Sequence, residues 1–310
     1  SQDHDLLLRV TERTDRVYRV PEILYHWRSL PSSTASTAGV KRYVHTAGRK
    51  AVGDALARRG IRASLYTPTF ADRLGLPILG LDGPDDGPSV AVVIRGEASA
   101  AARTVRAVKA TTAYRHFTPY LVVDGAPAAE SLNRIAAGRT EEFLVFLEAG
   151  VEPTDRRWLS RLMAYLQFPG VGAAGGLMRN ADGTIATAGT LLGMHDGIAP
   201  DDAARGVPKD GISYYFYAEV GRNVSAPGRG LLATRRELFE RVGGFDADRF
   251  PETTWDMDFA LRLAGIGKRC VHVAGAEFQN NPSPGPSPKR RGEENPLAPP
   301  LRFGEGAGGR

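Results

Sequence analysis

Residues 88–95 read PSVAVVIR, residues 119–125 read PYLVVDG, and residues 141–148 read EEFLVFLE. Each segment is an apolar run of strand length, and helical patterns follow the three runs at residues 98–113, 128–137 and 153–167. Short buried strands that alternate with helices are typical of a parallel sheet with helices on both faces. The sequence therefore predicts an α/β, Rossmann-like fold with a mostly parallel sheet flanked by helices.

The composition limits the partners that the chain can have. It has 310 residues, of which 42% are hydrophobic, and a formal net charge of +5. Because no basic stripe is interleaved with aromatic residues, we expect no nucleic-acid partner. No apolar run approaches the roughly 18 residues of a membrane span, and the first residues, SQDHDLLLRV, do not resemble a signal peptide. We therefore expect a cytoplasmic protein without a transmembrane segment, and we interpret its beginning as that of a fragment.

The chain contains an internal repeat. Residues 2–10 read QDHDLLLRV and residues 255–263 read WDMDFALRL, at an offset of 253 residues. Arg16 and Arg269, in the basic and apolar segments that follow, keep the same offset of 253 residues. A match that holds its register over this length predicts two copies of one structural unit.

The repeat and the local composition divide the chain into four segments. Residues 1–40 are predicted to be the C-terminal remnant of an upstream unit, and residues 88–281 the next, nearly complete copy. Residues 41–87, between them, are interpreted as a helix and a linker. Residues 282–310 contain seven Pro and six Gly, which predicts a disordered tail; the alternative is a proline-rich ligand for another domain.

Two local patterns carry further expectations. The run Thr234-Arg235-Arg236-Glu237 has the spacing of a capping box, which predicts that Thr234 caps a helix. His195-Asp196 and Asp201-Asp202 lie in a loop rich in Gly, Pro and Asp. Because their spacing fits no metal site, we interpret them as solvated loop residues.

Four segments carry a resemblance to a known family. They read PEILYHWRSLPSSTA at 21–35, RNVSAPGRG at 222–230, RRELFERVGGFD at 235–246 and WDMDFALRL at 255–263. In these segments the chain resembles bacterial family 2 glycosyltransferases, which have the GT-A fold. The tandem-domain, rhamnosyltransferase-like proteins of O-antigen and polysaccharide synthesis are the members that it resembles.

The resemblance implies an inverting transfer of a sugar from a UDP- or dTDP-sugar donor to a glycan or lipid-linked acceptor. Such a reaction needs a base for the acceptor hydroxyl and a cation for the departing nucleoside diphosphate. The family's base is an Asp at a helix start, which falls on Asp256 here and on Asp3 in the first copy. Without the resemblance, Asp256 would be interpreted as a capping residue. Membrane contact would come through the lipid-linked acceptor or a partner, at the inner face of the membrane.

Two residues at strand ends match the donor site of the family. Asp124 matches the Asp that contacts the nucleobase at the carboxyl end of a parallel strand. The alternative for Asp124 is a simple Asp-Gly turn. Arg95 stands where the family has a Pro-Thr or Pro-Ser pair, and there it could offset the charge of the diphosphate in place of a metal. The alternative for Arg95 is a surface arginine.

The metal motif departs from the family pattern. The Asp-X-Asp position reads Glu148-Ala149-Gly150, so one carboxylate remains and Gly150 has no side chain that could bind Mn²⁺ or Mg²⁺. The His expected near the end of the domain falls on residues 280–281, which are both Asn. Glu148 is therefore the candidate metal ligand, in a weak site with Glu152. The alternative is that both residues belong to a solvated acidic loop that binds no metal.

Two functions from different classes follow. The first is an active glycosyltransferase, supported by Asp256 and Asp124. The second is a catalytically degenerate domain that binds a nucleotide sugar or glycan, or that braces the upstream unit, and Gly150 supports it. A dehydrogenase would need closely spaced glycines after the first strand, where VVIRGEAS has a single one.

Overall fold

The computed structural model describes residues 2–26, 42–194, 196–197 and 199–281. The predicted disordered tail at 282–310, His195 and most of the segment at 21–35 lie outside the described residues. In the described part of the chain, no helix is both long enough and apolar enough to cross a membrane.

The described residues contain both helices and strands. The α-helices are α1 (Gln2–Val10), α2 (Arg42–Arg58), α3 (Thr69–Arg73), α4 (Ala98–Thr111), α5 (Ala128–Ala137), α6 (Trp158–Leu166), α7 (Arg236–Arg241) and α8 (Trp255–Gly265). The strands are β1 (Ser64–Tyr66), β2 (Gly80–Asp82), β3 (Val90–Gly96), β4 (Phe117–Val123), β5 (Phe143–Glu148), β6 (Val151–Pro153), β7 (Val171–Arg179), β8 (Ile185–Thr187), β9 (Thr190–Met194), β10 (Ala199–Asp202), β11 (Arg222–Val224), β12 (Leu231–Arg235) and β13 (Arg269–Asn280).

The main sheet has the strand order β11-β13-β7-β12-β5-β3-β4. Strands β3, β4 and β5 are parallel to one another, β12 runs antiparallel between β5 and β7, and β7 is parallel to β13. Because β11 is antiparallel to β13, five of these seven strands point in the same direction. The predicted α/β fold with a mostly parallel sheet is therefore confirmed.

Helices cover both faces of the sheet. The strand β3 is buried throughout Val90–Ile94, and its side chains alternate between the two faces. Val90, Val92 and Ile94 pack with residues of α4 and α6, whereas Ala91 and Val93 pack with residues of α5, α7 and α8. This period of two is the side-chain geometry of a strand, and burial on both faces explains the continuous apolar run in its sequence.

Two predicted helix starts differ from the structure. The third predicted helix begins at Trp158 instead of residue 153, because Pro153 pairs with Phe278 in the sheet. The side chain of Thr234 does not cap α7; it lies in β12, where its hydroxyl donates a hydrogen bond of 2.7 Å to the carbonyl oxygen of Gly172. The predicted capping box is therefore wrong.

Residues 64–82 pack against the main domain. The strands β1 and β2 form an antiparallel pair, and Leu81 packs with Leu56 of α2 and Ala164 of α6. Asp82 accepts a hydrogen bond of 2.8 Å from Arg161 of α6. The segment interpreted as a linker thus forms apolar and ionic contacts with the sheet's helical layer.

The two copies of the repeat both form a helix. α1 starts at Gln2 and α8 at Trp255, which are equivalent positions. Each helix contains an Asp–Arg ion pair at the same place, with N–O distances of 2.9 Å for Asp5 and Arg9 and 2.7 Å for Asp258 and Arg262. Residues 14–26, which match the position of β13, contain no helix or strand.

Candidate functional site

The candidate residues meet at one edge of the sheet. Arg95 lies near the carboxyl end of β3, Asp124 directly follows β4, and Glu148 ends β5. The register places Arg95 opposite Glu148, because β3 and β5 are neighbours. Asp256, the second residue of α8, lies close enough to Glu148 to influence its charge. The carboxyl ends of parallel strands are where ligands of open α/β sheets bind.

Arg95 and Asp124 form an ion pair in an open cavity. The Arg95 Nη2 atom lies 3.2 Å from Asp124 Oδ1 and 3.9 Å from Glu252 Oε2, and it donates a hydrogen bond of 3.3 Å to the carbonyl oxygen of Ala126. The cavity has a volume of about 580 Å³, and its other lining residues are Gly125 and Pro127. The Arg95 side chain is only 22% exposed, so it differs from the free surface arginine considered as the alternative.

The turns after β3 and β5 touch each other. The backbone N–H of Ala149 donates a hydrogen bond of 2.8 Å to the carbonyl oxygen of Arg95. Gly96 allows this approach, since a Cβ atom at Gly96 would lie 2.4 Å from that of Ala149. The short contact keeps Arg95 and Glu148 side by side.

The pKa values of Glu148 and Asp256 are both raised above those of ordinary carboxyl groups. Crowding by protein atoms raises the pKa of Glu148, and the negative charge of Asp256 raises it further, although Glu148 stays open to solvent on one side. Burial is also the main cause of the raised pKa of Asp256, which backbone N–H groups at the start of α8 partly offset. A carboxylate with a raised pKa is a stronger base than an exposed one.

Arg229 is a site residue that the sequence reasoning missed. Its positive charge acts to lower the pKa of both Glu148 and Asp256, so it lies near both carboxylates. The next residue, Gly230, accepts a hydrogen bond of 3.0 Å from the backbone N–H of Glu148. Arg229 and Asp256 also line one small cavity of about 70 Å³. The available signal was the run Gly228-Arg229-Gly230 inside a segment already singled out.

Asp202 does not fit its interpretation as a solvated loop residue. Its side chain is 9% exposed and forms an ion pair with Arg205. Its Oδ1 atom accepts hydrogen bonds of 3.1 Å from the hydroxyl groups of Thr187 and Thr190. Asp202 also lines the cavity that contains Asp256, so an ordered acidic residue borders the site.

The donor set around Glu148 does not fit a divalent cation. Gly150 brings no side chain, and its backbone N–H donates to the hydroxyl of Thr104 at 2.9 Å. Glu152, the displaced neighbour considered above, accepts a hydrogen bond of 3.3 Å from the side chain of Asn281. In the described residues, no group of three or more His, Cys, Asp or Glu side chains is arranged to hold a metal ion. Mg²⁺ and Mn²⁺ prefer several oxygen ligands, which this loop does not bring together.

Comparisons with known proteins give two sequence relatives. No family model matches the chain. The chain is 27% identical to the uncharacterized protein y4gI of Sinorhizobium fredii, over 91% of the chain and 34% of that protein. It is 30% identical to the O-antigen biosynthesis protein RfbC of Myxococcus xanthus, over 88% of the chain and 23% of that protein.

Among solved structures, the mannosyltransferase PcManGT from Pyrobaculum calidifontis, in complex with GDP-Man and Mn²⁺, matches with a TM-score of 0.48 and 17% identity. The match covers 78% of the chain and 67% of PcManGT. The chain spans about a third or less of the two sequence relatives. It is thus similar, along 88% of its length, to an O-antigen biosynthesis protein of which it spans 23%.

Proposed function

We propose that the chain is a GT-A glycosyltransferase of the family 2 kind, which binds a nucleotide sugar at the carboxyl edge of its sheet. It transfers the sugar, with inversion, to a glycan or lipid-linked acceptor in surface polysaccharide synthesis. The observation that carries the proposal is the meeting of Asp124, Arg95, Glu148 and Asp256 at one edge of the sheet. The similarity to an O-antigen biosynthesis protein supports the same class of reaction.

Each residue has a chemical task in this proposal. Asp124, with a half-exposed side chain in an open cavity, accepts hydrogen bonds from the nucleobase of the donor. Asp256 takes the proton of the acceptor hydroxyl as the hydroxyl oxygen attacks the anomeric carbon, and the bond between that carbon and the diphosphate oxygen breaks, so that the nucleoside diphosphate leaves. The raised pKa of Asp256 favours the proton transfer because a more basic carboxylate takes up a proton more readily.

A second candidate function is a nucleotide-sugar-binding module without catalysis. The observation that favours it is Gly150, which leaves Glu148 without a second carboxylate in the loop after β5. The two candidates share the binding step and differ in turnover. Release of free nucleoside diphosphate from a donor, with or without an acceptor, distinguishes them.

The binding step is tested by replacing Asp124. We expect Asp124→Ala to weaken the binding of UDP and dTDP by about 10- to 100-fold, because a hydrogen bond to a charged group contributes about 1.5–3 kcal/mol. Isothermal titration calorimetry of the whole chain measures the affinity. The matched control is Asp86→Ala, an exposed residue before the opposite end of β3. Equal affinities for the Asp124 variant and the unchanged chain would contradict the assignment of Asp124.

A further inference from the structure

Arg229 occupies an unusual place in the loop between β11 and β12. It stands between Gly228 and Gly230, which have φ angles of 94° and 84°. A Cβ atom at Gly228 would lie 2.6 Å from the hydroxyl of Thr187, and one at Gly230 would lie 2.6 Å from the Met178 methyl group. The positive φ angles favour glycine at both positions, and at Gly228 the hydroxyl of Thr187 also leaves no space for a side chain. The tight packing on both sides fixes the direction of the backbone at Arg229.

The other cations of the site already have partners. Arg95 pairs with Asp124 at 3.2 Å, and Arg205 pairs with the nearly buried Asp202. Arg229 is exposed and forms no ion pair within 4 Å among the described residues, although its charge acts on Glu148 and Asp256. It is thus the cation of this edge that a ligand can reach without displacing a carboxylate.

A departing nucleoside diphosphate needs a cation beside it, and the loop at Glu148 does not have the donors of a divalent metal site. A guanidinium group presents several N–H donors in a fixed plane and binds phosphate oxygens in pairs. We infer that Arg229, together with Arg95, holds the diphosphate of the donor at this edge of the sheet in place of a divalent cation. The inference rests on the proposed nucleotide-sugar function.

Arg95 adds a second group to this phosphate site. Its Nε atom is buried and has no hydrogen-bond partner within the described part of the chain. A buried donor that lacks a partner is unfavourable, and a ligand oxygen would satisfy it. The contact between the turns at Gly96 and Ala149 keeps this guanidinium next to Glu148. In the proposed diphosphate site, Arg229 thus comes from the loop before β12 and Arg95 from the end of β3.

The test is a titration of the whole chain with UDP and dTDP, in EDTA and in Mn²⁺. The expected result is binding in EDTA, with a dissociation constant within threefold of that in Mn²⁺. Arg229→Ala should weaken binding in EDTA at least tenfold, and Arg229→Lys should restore part of the loss because it keeps the charge. Arg241→Ala, at an exposed position of α7, is the matched control and should not change the affinity.

Three outcomes separate the inference from the function on which it rests. Binding that requires Mn²⁺ would overturn the inference and leave the nucleotide-sugar function standing. An Arg229→Ala variant with unchanged affinity in EDTA would overturn the role of Arg229. An absence of binding under all four conditions would contradict the proposed function itself. Circular dichroism of each variant confirms that the fold is kept, as expected for an exposed side chain.

Discussion

Replacing Phe259 with alanine is expected to lower the free energy of unfolding by about 3–5 kcal/mol, the usual range for a buried Phe in a core. Phe259 is fully buried, and its ring centroid lies 5.4 Å from that of Phe245 and 5.5 Å from that of Phe239. The matched change is Leu6→Ala at the equivalent position of the first copy. Leu6 is 58% exposed, so its replacement should change the free energy by less than about 0.5 kcal/mol.

The two changes are matched because the helices are so similar locally. The pairs Asp5–Arg9 and Asp258–Arg262 are present in both, at equivalent positions. The contacting faces differ, however. Leu8 of α1 is half-buried, on a helix that packs against α2, whereas the equivalent Leu261 is 49% exposed.

Other apolar positions also differ in exposure between the two copies. Exposed apolar residues of the first copy match buried residues of the second at Leu6, Leu7, Val10, Val17, Tyr18, Val20, Ile23 and Tyr25, which correspond to Phe259, Ala260, Leu263, Cys270, Val271, Val273, Ala276 and Phe278. In the second copy the first three positions lie on α8, which packs against the sheet, and the other five lie in β13, within the sheet. The division of the chain into a remnant at 1–40 and a copy at 88–281 agrees with this pattern and stays a prediction.

Urea denaturation followed by circular dichroism measures both changes. The slope of the transition should be the same for the two variants, since neither removes a whole segment from the folded surface. A large loss of stability for Leu6→Ala would show that α1 is packed as α8 is, and would contradict the exposed position of Leu6. A loss below about 1 kcal/mol for Phe259→Ala would contradict the aromatic cluster around it.

The sequence was sufficient for the elements that depend on local pattern. The strands β3, β4 and β5 and the helix α5 lie where the apolar runs and their spacing place them. The buried strands β3 and β5 show as continuous apolar runs, and such runs are visible without any knowledge of their neighbours.

The errors came from contacts between distant parts of the chain. Thr234 has the spacing of a cap, but the neighbouring strand β7 offers its hydroxyl the carbonyl oxygen of Gly172, 62 residues away. Residue 153 fits a helix start, but β13 pairs with it. Asp202 stands in a polar stretch of sequence, yet it ends β10 and accepts hydrogen bonds from the hydroxyl groups of Thr187 and Thr190, 15 and 12 residues away. The local sequence does not show which residues from other segments will be these partners.

The candidate site shows the same division. Asp124 and Arg95 could be assigned to strand ends because strand ends are readable from the sequence. Arg229 could not, since its importance depends on a loop that brings it beside Glu148 and Asp256 from elsewhere in the chain. The effect of the Arg229 charge on the pKa values of Glu148 and Asp256 becomes apparent only when the structure places the three residues together.

Asp256→Asn is expected to reduce sugar transfer by about 100- to 10,000-fold, the usual contribution of a general base. Nucleotide binding should be retained, because the substitution keeps the size of the side chain and the role proposed for Asp256 is in proton transfer. The matched control is Asp258→Asn in the same turn of α8, which replaces the carboxylate of the partly buried ion pair with Arg262 by an amide of the same size. Release of nucleoside diphosphate from a panel of UDP- and dTDP-sugars measures the rate.

The pH dependence gives the same residue a second test. A base works in its ionised form, and burial raises the pKa of Asp256 above its ordinary value. The rate should therefore fall as the pH decreases through this raised pKa, at a higher pH than for an exposed aspartate. Asp256→Asn should remove this acidic limb, and Asp258→Asn should keep it. An acidic limb that persists in Asp256→Asn would assign the base to another group, with Glu148, the neighbouring carboxylate of raised pKa, as the next residue to replace.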